Sequence, residues 1–394
     1  MNVHLLNPEV ADFLKTHFKE DVSRLILNGS PFPEITTKEL AQQIIGLQKS
    51  ENKLPTWFST KGIYFPPKLN LEQTSSESTA KYKASLFSGE NALDLTGGFG
   101  IDDYYLSSTF KQVTHCELNT DLATIASHNY KKLGVSSVEV VQGDSIAFLK
   151  NTNTNYDLIY VDPSRRNDNK GKVFMLKDCE PNIPALLDLL FEKTKHIRIK
   201  TSPLLDISAG LKELDHVTEI HAIAVKNEVK ELLWVLKKNK STRPLKLVAV
   251  NLESDCPNPV SLDMQSLQNA EADYEEPQDY LYEPNAALMK LGAFNWISEH
   301  YNLKKIAPNS HLYTSKSLIE FPGRIFKIND VIAYSKKEIS NYLKNKKAHI
   351  TTRNFKENTA ALRTKFKVKD GGDIYLFFTT LTNGKQILIS AAKP

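Results

Sequence analysis

Cysteine is scarce in this chain. Its three residues, Cys116, Cys179 and Cys256, are scattered without paired spacing, which excludes a disulfide framework and argues against a zinc site. Long apolar runs are missing too: nowhere do about 18 consecutive apolar residues occur. The N-terminus lacks the basic, apolar and small-residue succession of a secretory leader, so a cytoplasmic location with no membrane contact is expected. His115 and His128 have no partners at metal-ligand spacing; they read as structural residues, and no metal is expected. No internal repeat is present. At 394 residues the chain exceeds one ordinary core, and its length predicts about two to three domains.

What is present is unevenly distributed. Residues 284–394 carry 19 Lys and Arg against 7 Asp and Glu, a net +12 that leaves −8 for residues 1–283 of a chain whose total is +4. A basic C-terminal part on an acidic body is the electrostatic footprint of a nucleic-acid binder, because neutralised phosphates release condensed counterions. A solvated lysine face is the other reading of the same count.

Periodicity divides the chain further. Residues 1–75 read as a small helical cap: Val10, Phe13 and Leu14 share one face, and Thr36 with Glu39 forms a capping box that opens a helix through Leu40, Ile44 and Leu47. From Ala92 the pattern becomes βαβ, with strand-like "NALDL", "QVTHCEL", "VEVVQGD", "YDLIYVD" and "HIRIKTS" alternating with helical segments, which predicts a mostly parallel sheet. "VTEIHAIAV" and "KELLWVL" are too close for a helical crossover and predict an antiparallel hairpin at an edge. Residues 263–283 hold seven acids and no Lys or Arg, a shift that marks 256–283 as an acidic linker. Beyond it, "RIFKINDVIAY" begins a β-α-β-α-β-β order ending in a hairpin at Asn383-Gly384, which suggests a ferredoxin-like unit.

The chemistry concentrates at strand ends. "LDLTGGFGIDD" is a strand running into a glycine-rich turn that opens a helix; Gly97, Gly98 and Gly100 permit positive φ and close approach of a ligand to the backbone. A dinucleotide fingerprint needs a third glycine where Asp103 stands, and Asp102 and Asp103 put negative charge where a pyrophosphate needs N–H donors. A phosphate-free nucleoside with a cationic sulfonium fits better. Asp94 can accept from an ammonium, Glu117 can take both ribose hydroxyls, and Asp144 can accept from an adenine amine. These acids end three successive strands at the carboxyl edge of the sheet, where open α/β proteins bind ligands. In "YDLIYVDPSRRND", Asp162 and the Pro163 carbonyl can grip an N–H and aim a lone pair. Arg165 and Arg166 would repel a sulfonium; they read either as contacts to the acceptor substrate or as surface ion pairs with Asp168 or Asp157.

"DLTGGFG", "HCEL", "QGDS" and "VDPSRR", in that order, resemble a class I S-adenosylmethionine-dependent methyltransferase over roughly residues 76–240, within a domain placed at 76–255. The resemblance implies a Rossmann-like α/β fold and S-adenosylmethionine as cofactor, held by Asp94, Thr96 and the three glycines together with Asp102, Glu117, Asp144 and Asp162. Catalysis would fall to Asp162, Pro163 and Arg165, the last where amino-methylating members carry an aromatic residue. Thr79 and Lys83 in "QTSSESTAKYK" are similar to residues that close over the ligand, and a polar helix face explains them equally. Lys200, Thr201 and Ser202 end the next strand, with helix capping the simpler role. "YLYEPNAALMKLGAF", "LYTS" and "FPGRIFKI" resemble a THUMP-like domain, placed at 284–330, with a ferredoxin-like domain at 331–394. THUMP-type domains imply RNA, commonly transfer RNA. An RNA methyltransferase acting on a base nitrogen is therefore the expectation; a protein or small-molecule methyltransferase and a non-catalytic RNA-binding adaptor are the alternatives.

Overall fold

The computed structural model describes residues 1–165, 175–239, 243–343 and 347–394, residue 165 by its backbone alone. Two compact units divide the chain, residues 1–220 with 231–243 and residues 221–230 with 244–394.

The N-terminal region of the first unit is helical for the reason expected. Thr36 and Glu39 exchange both hydrogen bonds of a capping box and open the helix Thr37–Lys53, whose buried face includes Leu40 and Ile44. Shorter helices flank it at Pro8–His17, Val22–Asn28, Pro55–Ser59, Lys68–Gln73 and Glu77–Ser85. Asn129, on the helix Thr120–Lys132, fastens this region to the sheet domain. Its side-chain amide accepts the Tyr64 N–H and donates to the Tyr64 carbonyl, both at 2.9 Å.

The core of the first unit is a sheet built from β1 (Gly89–Asp94), β2 (Phe110–Glu117), β3 (Val138–Gln142) and β4 (Leu158–Val161). Two short strands come next, β5 (Ser164–Arg165) and β6 (Cys179–Glu180), and then β7 (His196–Thr201) and the hairpin of β8 (Val217–Val225) with β9 (Glu228–Lys237), of which residues 221–230 count with the second unit. β1 pairs in parallel with both β2 and β4, β2 with β3, and β4 with β7, whereas β9 runs antiparallel to β7. Every residue of β4 is buried, the near-continuous apolar run of a strand covered on both faces. The hairpin turns at Lys226 and Asn227, with φ of 50° and 65°. Left-handed geometry at both central residues suits the twist of the flanking strands. The chain steps from β1 outward through β2 to β3, then returns to the other side of β1 for β4. That switch point, at the carboxyl ends of β1 and β4, is where such sheets form a ligand crevice.

In the second unit, β10 (Lys246–Leu252) pairs antiparallel with β11 (Val260–Asp263). A larger sheet takes the strands β12 (Tyr280–Pro284), β13 (Lys304–Lys305), β14 (Tyr313–Ser315), β15 (Gly323–Ala333), β16 (His349–Thr352), β17 (Tyr375–Thr380) and β18 (Gln386–Ala392) in the order 13-14-12-15-18-17-16. The β-α-β-α-β-β succession expected from "RIFKINDVIAY" onward is present, with helices Lys336–Tyr342 and Thr359–Phe366 and a β17/β18 hairpin. The expected acidic linker is not a linker. Asp263 ends β11 and caps the helix Met264–Asn269 by accepting the Ser266 N–H at 2.7 Å. Glu283 lies in β12, buried between Arg324 and Arg353. Acids placed as a cap and as an ion-pair partner imitate a linker in composition only. The expected boundary at 330/331 likewise falls inside β15. Among the described residues, no helix is long and apolar enough to cross a membrane.

Candidate active site

The glycine turn after β1 is organised by Asp94 and Thr96. Asp94 Oδ1 accepts the Thr96 N–H at 2.7 Å and its hydroxyl at 3.0 Å, and Thr96 Oγ1 accepts the Asp162 N–H at 2.7 Å. One threonine thus ties the end of β1 to the end of β4. The Gly97 N–H donates to the Cys116 carbonyl, and a Cβ at Gly97 would lie 2.3 Å from the His115 ring. Gly100 has φ of +86°, and a Cβ there would meet the Tyr130 hydroxyl at 2.2 Å. Both glycines let the turn settle on an imidazole and a phenol. Gly98 differs: φ is +60°, its N–H donates to Glu117 Oε2 at 2.9 Å, and the nearest heavy atom to an added Cβ is a backbone oxygen at 3.6 Å. That is the open backbone face a ligand can approach.

Beneath the turn, His115 Nδ1 is 2.6 Å from Asp103 and 3.0 Å from the Tyr130 hydroxyl. Burial pushes the carboxyls of Asp94 and Asp103 well above the usual carboxylate range, and mutual or neighbouring acid charge adds to it. Both carboxyls are therefore biased toward the protonated form in the folded protein. Burial also lowers His115, which keeps the imidazole neutral. His115 is therefore structural, as its isolation in the sequence suggested. His128 donates its Nε2–H to the Gly62 carbonyl, 2.8 Å away.

A second cluster lies alongside. Lys83, 4% exposed, places Nζ 2.8 Å from Asp102 Oδ1, 2.9 Å from Glu231 Oε1 and 2.7 Å from the Ser75 hydroxyl. Asp102 Oδ2 accepts from Ser75 at 2.8 Å and from the Tyr160 hydroxyl at 3.1 Å. Burial pushes Asp102 up, and Lys83 and Lys200 more than reverse it, holding its carboxyl below the usual range. Lys200, at the end of β7, pairs with Asp162 Oδ2. Burial alone would lower Lys200, but Asp162, Glu231 and Asp102 prevail and hold it charged above the ordinary lysine range. Asp162 keeps about 35% of its side chain exposed against 10% for Lys200. The pair stands at the accessible carboxyl edge.

The other expected positions divide. Glu117 ends β2 with Oε1 accepting the Asn119 N–H at 2.7 Å. Asp144 caps the helix Ser145–Asn151, Oδ1 accepting from Ile146 and Ala147. Pro163 is buried, and Arg165 lies in β5, paired with Cys179 of β6. Arg166 and Asp168 fall outside the described residues. Asp102 has internal partners on both oxygens and faces the network. Thr79 is closed into the first turn of its helix by Ser76. Thr201 accepts the Trp234 indole N–H at 3.0 Å, and Ser202 accepts the Leu204 N–H. Capping is thus the wrong role for Lys200, since the next helix is capped by Asp206. Among the described residues, no group of three or more His, Cys, Asp or Glu could hold a metal ion.

Comparison with known proteins places this geometry. A crystal structure of a Porphyromonas gingivalis W83 protein assigned as a methyltransferase superposes with a TM-score of 0.89 at 34% sequence identity, covering 99% of this chain and 98% of that one. The chain belongs to this methyltransferase family. A ferredoxin-like domain model matches residues 280–322, and a THUMP domain-like model matches residues 323–393. Both modules expected of the family are therefore present, in the reverse of the expected order. An uncharacterised RNA methyltransferase of Mycoplasma mobile is 28% identical over 149 residues, 36% of this chain, which spans 40% of that relative's length.

Within the methyltransferase sheet, sequence reasoning missed two members of the buried network. Glu231 is an acid in the otherwise apolar "KELLWVL", and a charge inside a buried strand must have a partner; that was a legible signal. Tyr160, inside the apolar run before Asp162, carried none. Burial and then the Asp102 charge push its phenol well above the usual range, so it acts as a fixed donor.

Proposed function

We propose that the chain transfers a methyl group from S-adenosylmethionine, consumed as a co-substrate, to a base nitrogen of an unpaired or flipped RNA nucleotide. The observation that carries this reading is the placement of Asp162. Its backbone is bonded to the glycine turn through Thr96, and its half-exposed carboxylate is fixed by Lys200. Methyl transfer is an in-line displacement with little covalent work for the protein, so positioning an acceptor beside the donor is the main task. The donor supplies an electrophilic methyl on a cationic sulfur.

The residues present fit that donor. Gly98 leaves its backbone open, Glu117 at the tip of β2 suits a ribose diol, and Asp144 Oδ2 suits an adenine amine while Oδ1 caps its helix. Asp94 supports the turn from below and is too buried to touch a ligand broadly. The RNA part of the reading draws on the +12 charge of residues 284–394, on the THUMP domain-like match, and on the name of the Mycoplasma relative. Some of that charge is already engaged internally, by Arg324 and Arg353 on Glu283, Lys365 on Glu357 and Arg363 on Asp370. The uncommitted cations are those available to phosphates. The test is calorimetry with S-adenosylmethionine and then mass spectrometry of nucleosides from RNA treated with the enzyme. Asp162→Ala should retain donor binding within a few-fold and lose turnover; an adaptor would bind the donor, methylate nothing and be indifferent to the substitution.

A further inference from the structure

We propose that Lys200 and Asp162 act together to select a lactam ring nitrogen, N1 of guanine or N3 of uracil, as the methyl acceptor. The inference rests on the RNA reading above and narrows it. An exocyclic amine is excluded as the acceptor.

The argument starts from the residues at the end of β4. Asp162 offers a carboxylate whose Oδ2 is held by the Lys200 ammonium, with the carboxylate side chain the more exposed of the two. A base that docks there meets an acceptor oxygen and, beside it, a fixed cationic donor. Among the described residues, the groups facing Lys200 are Asp162, Glu231 and Asp102, and the neighbouring cation Lys83 is held by Asp102 and Glu231. Lys200 therefore remains an ammonium, unable to serve as a base, and able only to donate.

An ammonium has opposite consequences for the two kinds of acceptor. The nitrogen of an exocyclic amine attacks with a neutral lone pair and gains positive charge as the bond forms. A cation bonded to the adjacent ring nitrogen withdraws density from that lone pair and repels the developing charge. A lactam nitrogen has no free lone pair until its proton leaves. Once it does, the negative charge spreads to the neighbouring carbonyl oxygen, where a fixed ammonium stabilises it as an oxyanion donor does. In the transfer step the ring N–H proton passes to Oδ1 of Asp162, and the nitrogen electron pair forms the N–CH3 bond. The C–S bond breaks with its pair going to sulfur, which becomes a neutral thioether, and Asp162 returns the proton to solvent. Neutral lactam and cationic donor give neutral N-methyl lactam, neutral thioether and one proton.

The experiment treats RNA lacking the modification, from cells without the protein, with the full-length enzyme and S-adenosylmethionine, and identifies the methylated nucleoside by mass spectrometry. The expected product is 1-methylguanosine or 3-methyluridine. A methyl on adenosine N6, guanosine N2, cytidine N4, a ring carbon, the cationic product nitrogen of adenosine N1 or a ribose oxygen overturns this inference and leaves the RNA reading standing. No methylated nucleoside at all, with donor binding intact, overturns both. Lys200→Met supplies the second measurement. Titration with S-adenosylhomocysteine should show the donor site kept, while the single-turnover rate at neutral pH falls by roughly a hundredfold or more, the usual effect of removing an oxyanion donor. The remaining rate should climb about tenfold per pH unit toward the lactam's own ionisation. A flat pH profile or an unchanged rate refutes the assignment, and Lys200→Arg, which keeps the charge, should restore part of the rate.

Discussion

Lys83→Met is the sharpest test of the buried network beside the proposed site. Lys83 holds two carboxylates at 2.8 and 2.9 Å, Asp102 and Glu231, both of them largely buried. At an effective dielectric near 20, each contact is worth roughly 6 kcal/mol of Coulomb attraction, most of which offsets the desolvation of the ions. Removing the cation leaves two buried acids with only the more distant Lys200 as counter-charge, and breaking such a buried pair costs about 3–5 kcal/mol. With a urea dependence near 3 kcal/mol/M for a domain of this size, the unfolding midpoint should fall by roughly 1–1.7 M. The assay is urea titration monitored by circular dichroism at neutral pH, for the wild type, the single variant and Lys83→Met with Glu231→Gln. The double variant removes one stranded charge and should recover at least half of the loss.

The pH dependence adds a signed check. In the wild type, the Asp102 carboxyl is held below its unfolded value, so its contribution is present above the unfolded carboxylate range and is lost as pH falls through the folded value. In Lys83→Met the burial of Asp102 is left opposed by one cation fewer, which pushes its carboxyl up. The Asp102 penalty is complete at neutral pH and shrinks as pH drops toward the unfolded value, so the two proteins should converge on acidification. A single variant within 1 kcal/mol of wild type, or a double variant no better than the single, refutes the reasoning.

Other outcomes are fixed by the same geometry. Gly100→Ala forces a left-handed φ on a residue with a Cβ, at about 1–2 kcal/mol, and drives it into the Tyr130 hydroxyl, adding about 1–3 kcal/mol of overpacking; thermal melting should show a fall of roughly 5–15 °C. Asp103→Asn keeps a polar partner for His115 and removes a buried ionisable group. Because both wild-type acids are raised by burial, the wild type loses stability relative to the variant as pH rises from the ordinary carboxylate range, measurable as diverging urea midpoints. Glu117→Gln should weaken S-adenosylmethionine binding roughly tenfold to a hundredfold in calorimetry, the loss of charge-assisted hydrogen bonds, with little change in RNA affinity. If about five phosphates of a single strand are neutralised, RNA binding should weaken roughly a hundredfold between about 50 and 200 mM salt, and a salt-independent affinity would remove the electrostatic reading of the C-terminal charge.

What the sequence disclosed and what it withheld obey one physical distinction. Strand ends, glycine turns and capping boxes are local: "LDLTGGFG" shows its turn, and Thr36 with Glu39 shows its helix, because the partners lie within a few residues. Ion pairs are not local. Lys200 meets Asp162 across 38 residues and Lys83 meets Glu231 across two elements of the unit, so a lysine at a strand end resembles a helix cap and Asp102 resembles a ligand to the cofactor. Residues 256–283 mislead for the same reason, since composition records that acids are present while only the fold shows Glu283 between two arginines. The consequence reaches the chemistry. Counting acids alone predicts a strongly negative crevice, whereas the folded network sets Lys83 and Lys200 against Asp102, Asp162 and Glu231, and burial biases Asp94 and Asp103 toward the protonated form. Under the proposed function, a crevice of that kind would attract a sulfonium without trapping it, and would leave one ammonium where an acceptor's developing charge needs it.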